Sequence, residues 1–286
     1  MNGDVLEDIT ADKDMEKRNA WHLSRVEGNG TPPVSALGEA SFGLAGRNYN
    51  GLNVDSRQID IALYADGFSA AALQDMLEKA ARVVSVDNEI LGALRLTNAA
   101  GRMFRIAAKC TELKPAEYHR SSALINAVFD CPFSYFEDDV KSVVPLYAVS
   151  GGKEYPLERP FSFGNIAAGA ADQTITAVNG GDVAAPCTFK IAGAGLSRVE
   201  ITNLTTGASI IASNMNTSGI EICTDENNLY AKFADGSDAS AYISMASSMG
   251  DFKLKSGANA IRVQTTATNI SASTCIEFRG RHTTCL

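Results

Sequence analysis

Side chains capable of acid–base, nucleophilic or metal chemistry occur in this chain, but they stand apart from one another. Carboxylates cluster as Glu137-Asp138-Asp139 and again as Asp225-Glu226. Two carboxylates act as general acid and base when their environments differ. Side by side in polar, turn-forming sequence, they point instead to solvated loops. Three acidic residues in a row could hold a cation, but the same turn chemistry favours a solvated loop there too. The histidines, His22, His119 and His282, are too far apart in sequence to form a metal-ligand pattern. None of the six cysteines sits in a Cys-x-x-Cys pair, and buried or idle free thiols are expected.

Nucleotide chemistry fares no better. Gly-x-Gly occurs at Gly28/Gly30 and at Gly193/Gly195, without a third glycine at phosphate-cradling spacing. Neither Gly-x-Ser-x-Gly nor His-Glu-x-x-His occurs. No catalytic residue, cofactor site or metal ligand is assigned, and an enzyme is the weakest functional class.

The elements that would carry a function are clearer. Arg57–Tyr64 alternates, with Ile59, Ile61 and Leu63 on one face and Gln58, Asp60 and Ala62 on the other, the period of a half-buried strand. Asp66-Gly67 turns the chain, and Ser69 is placed to cap a helix over Ala70–Arg82. Leu73, Met76, Leu77 and Ala80 share one face of it. Asp75/Lys79 and Glu78/Arg82 are four-apart pairs on the wet side. Strand-like runs follow near Ala93–Leu96, Met103–Lys109 and Leu124–Cys131, giving one helix among strands. Before them, Trp21–Val26 alternates as a strand, with the single tryptophan as a core or interface anchor. Loops are expected at Gly28–Pro33 and at Gly43–Gly51.

Pro132–Phe136 closes this first unit, and the composition changes beyond Val149–Pro160. Ala, Gly, Ser, Thr and Asn then dominate, and no amphipathic helix is evident. Short β-type runs recur at Thr174–Val178, Thr188–Ala192, Arg198–Thr202, Ala208–Ala212, Gly219–Cys223, Leu229–Phe233, Asn259–Gln264 and Cys275–Phe278. Asn179–Asp182, Gly193–Gly195, Thr206-Gly207, Asp235-Gly236 and Ser256-Gly257 punctuate them as turns. That pattern indicates an antiparallel sandwich or jelly roll. The chain is thus mainly β, with expected segments of an N-terminal arm (1–20), an α+β domain (21–148), a linker (149–160) and a β-sandwich (161–286).

The net charge of −8 argues against a nucleic-acid partner. No apolar run reaches the ~20 residues of a membrane span, and the charged N-terminus has no signal core, so synthesis in the cytoplasm is expected.

Taken in order, the residues resemble a family. Val26-Glu27-Gly28…Pro32-Pro33, Arg57–Ile61 and Val128–Phe133 carry the likeness in the first half. In the second half it rests on Asn179–Asp182, Pro186, Ile191–Gly193, Ile201–Gly207, Gly219–Asp225, Gly257–Asn259 and Ile276–His282. In this order and spacing they are similar to the siphovirus-type phage distal tail proteins. Asn29 departs from the apolar residue common at its position.

The resemblance implies a virion structural protein, assembled in the host bacterial cytoplasm, whose N-terminal domain builds a hexamer ring at the end of the tail tube. Its C-terminal sandwich would be galectin-like and carried on the outer wall. Implied partners are the tail-tube protein, a tail-tip or tail-associated lysin-type hub protein, and a receptor-binding or fibre protein. No catalysis and no cofactor are implied. Interface residues are expected at Trp21, in the two turn-rich loops (Gly28, Pro32, Pro33, Gly46, Tyr49), and on the wet helix face (Glu78, Arg82). The alternative is a carbohydrate-binding sandwich for host adhesion, with Tyr155, Tyr230 and Tyr242 as stacking candidates. A tail-tube protein, which would stack into long tubes, is a nearer rival.

Overall fold

The computed structural model describes residues 20–40, 47–84, 91–146, 169–267, 269–271 and 273–286. The expected arm and linker therefore lie outside the described residues, apart from Ala20. The chain forms two compact units: one runs to Glu137 and also takes in Thr283–Leu286, and the other is Asp138–His282.

The first unit contains β1 (Ala20–Glu27), β2 (Val34–Ala40), β3 (Arg47–Val54), β4 (Arg57–Asp66), α1 (Ala70–Val83), β5 (Gly92–Thr97), β6 (Met103–Tyr118), β7 (Ser122–Cys131) and β8 (Phe136–Asp138). Its main sheet is ordered β1-β4-β7-β6-β8, with β5 on β6 and β2–β3 as a separate hairpin. β4 pairs with β7 without a register break from Arg57↔Cys131 to Asp66↔Ser122. This uninterrupted pairing makes β4 the spine of the unit.

Ser69 caps α1 as expected, its hydroxyl accepting from the Ala72 amide at 3.2 Å. Leu73 and Ala80 are buried, and Met76 and Leu77 lean on the same cluster as Ala65, Ala123 and Ile125. A second cluster gathers Ile59, Ile61, Phe104, Ile106, Cys131, Phe136 and Cys285. Ala62 is buried rather than wet, while Gln58 on the same face stays exposed.

The second unit adds β9 (Ser142–Pro145), β10 (Gly169–Asn179), β11 (Cys187–Asn203), β12 (Ser209–Cys223), β13 (Tyr230–Phe233), β14 (Gly257–Ala267), β15 (Asn269–Ile270) and β16 (Cys275–Phe278). β11 and β12 each serve two layers. Their segments Arg198–Thr202 and Ser209–Ser213 continue one layer in the order β10-β14-β11-β12, whereas Thr188–Ala192 and Gly219–Cys223 lie between β16 and β13. The core fills the space between, around Phe189, Ile191, Ile201, Ile222, Phe252 and Val263. Phe189 and Phe252 meet edge to face at 5.2 Å.

Several expectations change here. Gly193-Ala194-Gly195 is not a turn: the register shifts between Ala192 and Leu196, and Gly195 takes a φ of 62°, so the chain bends within one strand. Ala208–Ala212 and Gly219–Cys223 likewise join in β12, with Asn214 left-handed at a φ of 60°. Gly43–Gly51 is not all loop, since Arg47 onward is strand. Met103–Lys109 extends to Tyr118.

Three buried asparagines explain the turns of this unit. Asn179 Oδ1 accepts from the Gly181 amide, and its Nδ2 donates to the Val183 and Leu254 carbonyls, each at 2.9 Å. Asn203 accepts from the Thr205 and Thr206 amides. Asn259 accepts from the Lys255 amide and donates back to its carbonyl. In each case a buried side-chain amide takes the place of backbone partners within the turn.

Candidate functional site

Arg57 opens β4 on the same parity as Ile59 and Ile61, so its side chain enters the interior, where only 3% of the residue is exposed. It meets main-chain oxygens there. Nη1 donates to Gly28 O at 3.1 Å and Gly30 O at 3.0 Å, and Nη2 donates to Thr283 O at 2.9 Å. The guanidinium lies 4.5 Å over the Phe136 ring. Burial lowers the Arg57 pKa from its ordinary value, and the nearby Cys131 and Cys285 oppose that shift. A planar cation with several fixed donors suits this task better than a lysine would.

The effect is to fix the expected interface loop from below. Gly28 adopts a φ of 85°, and a Cβ there would overlap the Gln58 carbonyl oxygen. Pro32 is buried, while Pro33 and Val34 are exposed. The Asp55 amide donates to Pro33 O at 3.0 Å, and the Ser134 hydroxyl donates to Asp55 O. The Cys285 amide donates to Asn29 O at 3.1 Å, so Thr283–Leu286 closes against the same loop. The outcome is a rigid turn that presents Thr31, Pro33 and Val34 outward.

The other expected interface residues are placed apart from it. Trp21 is half-buried on β1, packed with the cluster beneath α1. Glu78 and Arg82 are exposed and form a 3.6 Å ion pair along the helix. Tyr49 lies in β3, opposite Gly38. Gly46 falls outside the described residues. Phe68, beside the helix cap, is 64% exposed.

The acidic runs are engaged in ion pairs and hydrogen bonds. Asp138 Oδ1 lies 3.2 Å from His282 Nε2. Arg281 reaches Asp225 at 3.4 Å and Glu226 at 3.3 Å, and Lys253 also pairs with Glu226. Burial raises the Glu226 pKa, but the hydrogen bonds and charges of Lys253 and Arg281 outweigh it, and the net shift is downward. Among the described residues no group of three His, Cys, Asp or Glu could hold a metal ion. Burial pushes the Cys131 and Cys187 thiols up to about 12, away from nucleophilic use.

Two of the tyrosines named as sugar platforms have other work. Tyr230 donates to Glu221 at 2.5 Å with Lys232 over its ring, and Tyr242 packs edge-on to Phe233 at 5.1 Å. Tyr155 lies outside the described residues.

Sequence reasoning missed Arg57 as a site residue and Thr283–Leu286 as part of the first unit. The signal for Arg57 was its parity with the buried isoleucines. For the tail, no local pattern gave it away.

No family model matches the chain, and no curated protein matches it. Solved structures do. The chain is similar to the Dit protein of phage SPP1, described as a paradigm of hub adsorption apparatus in phages infecting Gram-positive bacteria. The identity is 10%, covering 91% of this chain and 93% of that one, with a TM-score of 0.62. It is also similar to a chain of the phage P2 baseplate in its activated conformation with calcium, at 12% identity, 93% and 91% coverage and a TM-score of 0.51. The strontium form of that baseplate gives 12%, 91% and 90%, with a TM-score of 0.50. At such identities the shared property is the fold. The distal tail resemblance read from the sequence is borne out at that level.

Proposed function

We propose that this protein is the hub of a phage tail tip, a six-fold ring that joins the tail tube to the baseplate and carries receptor-binding or fibre proteins. One observation carries the proposal: the likeness to the SPP1 hub protein spans both units, over more than nine-tenths of each chain. A likeness confined to the sandwich would have favoured a mobile binding module. On this basis its place is the virion tail tip, and its partners are copies of itself, the tube protein, a tip protein and an adhesion protein.

The first unit would build the ring. The outer edge of β1 has no strand partner among the described residues, and the rigid Gly28–Pro33 turn follows it directly. Cyclic symmetry closes such edges without leaving one exposed. The galectin-like second unit would dock partners rather than sugars, in keeping with the occupied Tyr230 and Tyr242. Its role would be structural, without catalysis.

Mass photometry of the purified chain tests this. Six copies of 30.3 kDa should give a species near ~180 kDa. A monomer at micromolar concentration would contradict the ring, and a broad distribution of much larger masses would favour a tube protein.

A further inference from the structure

Thr283–Leu286 follows the whole second unit in the chain, yet it belongs to the first. It lies outside any strand. Single bonds tie it to three separate segments instead. Thr283 O accepts from Arg57 Nη2 at 2.9 Å, at the start of β4. The Cys285 amide donates to Asn29 O at 3.1 Å, in the Gly28–Pro33 turn. Leu286 O accepts from Asn98 Nδ2 at 3.2 Å, while Asn98 Oδ1 accepts from the Ala100 and Arg102 amides between β5 and β6. Cys285 alone of the four residues is buried, in the cluster that holds Ile59, Phe104, Cys131 and Phe136. Leu286 is 76% exposed.

Such a segment can leave without unfolding the sheet. Among the described residues no ladder holds it, and one small buried side chain anchors it, whereas β4 and β7 pair along their whole lengths. Local opening costs least where anchors of this kind are fewest. Its departure has a defined consequence. Arg57 is only 3% exposed, and its Nε has no hydrogen-bond partner. Removing Thr283 O takes the acceptor from Nη2, on the side chain that also holds Gly28 O and Gly30 O. Asn29 O loses its amide donor in the same event. The Gly28–Pro33 turn is thereby loosened at two points at once.

We propose that Thr283–Leu286 is a detachable clasp that sets the Gly28–Pro33 turn in its rigid form. Domains generally fold as units, in chain order as they are made. Here the first unit cannot set this turn until the chain has been made through the second unit and the clasp has docked. The consequence for assembly rests on the hub reading: a chain that ends before Thr283 presents a loosened turn and is kept out of the ring. The clasp itself rests on the geometry alone.

Thiol modification of the intact wild-type chain tests the clasp, because Cys285 and Cys131 share one apolar cluster. A clasp that opens by itself should let a maleimide reach Cys285 about tenfold or more faster than Cys131 at neutral pH, read by mass spectrometry. Equal rates would overturn it, since both thiols would then emerge only as the unit unfolds. Assembly is read by mass photometry on variants that remain folded by circular dichroism. Cys285→Asp puts a charge where the thiol is buried and should abolish the ring. Cys285→Ala keeps the site apolar and should assemble like the wild type. Leu73→Ala lowers stability from the other apolar cluster of this unit and should retain the ring. Equal loss of the ring in Cys285→Asp and Leu73→Ala would make the segment ordinary core and overturn its role in assembly. A wild-type chain that forms no ring would contradict the hub reading, while the ratio of the two labelling rates still decides the clasp. The same ratio decides it if Cys285→Asp does not fold.

Discussion

The Arg57 guanidinium donates to the Thr283 carbonyl oxygen at 2.9 Å, a bond between residues 226 positions apart. The same side chain holds Gly28 O and Gly30 O. Arg57→Met keeps the apolar stem but strands three carbonyls, and should cost about 3 kcal/mol in denaturant unfolding. Arg57→Lys should recover only part of this, because an ammonium lacks the fork. An unchanged midpoint for Arg57→Met would refute the keystone role.

Gly28 offers a matched comparison with Gly101. Both have positive φ, 85° and 79°, but only Gly28 faces backbone where a Cβ would go. Gly28→Ala should destabilise by about 2–3 kcal/mol and Gly101→Ala by about 1 kcal/mol, measured by thermal melts. Equal effects would mean that the turn yields.

On α1, stability and assembly should separate. Ser69→Ala removes the cap and should cost about 1 kcal/mol, and Leu73→Ala about 2–5 kcal/mol. Glu78→Gln with Arg82→Gln removes one exposed pair and should leave the melt within about 0.5 kcal/mol. If α1 faces the next subunit, the double variant should nonetheless weaken ring assembly, read by mass photometry across dilution.

Acid should loosen the second unit through Glu277. Its pKa is lowered from 4.5, chiefly by the hydrogen bond from Lys190 at 2.7 Å, with Lys141 also donating at 3.2 Å. A depressed carboxylate stabilises the fold above its unfolded pKa, and that contribution disappears as pH falls through the folded value. Stability should therefore fall below about pH 4.5, and Glu277→Gln should flatten that limb in urea titrations. A parallel pH profile for the variant would show that other carboxylates set it.

The thiols provide a check on burial. With Cys131 and Cys187 raised to about 12, neither should react with a thiol reagent in the native protein at neutral pH. The partly buried Cys275, the others being buried, should label first in mass spectrometry. Early labelling of Cys187 would contradict the sandwich core.

What the sequence could convey was local periodicity. β4 and α1 were legible because alternation, a capping serine and a three-four apolar spacing are properties of adjacent residues. The glycines of Gly193–Gly195 read as a turn, since a bend inside a strand and a reversal between strands use the same residue. Only the partners on either side, Thr217 and Ile270 among them, distinguish the two. Arg57 illustrates the other limit. Its inward parity was visible, but its acceptors are main-chain oxygens contributed by remote segments, and carbonyls carry no sequence signal. The buried asparagines stood out as turn residues, while their burial did not.

The hub assignment is tested most directly by negative-stain electron microscopy of the purified full chain. The account predicts uniform rings with six-fold class averages that stop at one or two layers. Single globular particles, another symmetry, or tubes growing without limit would contradict it.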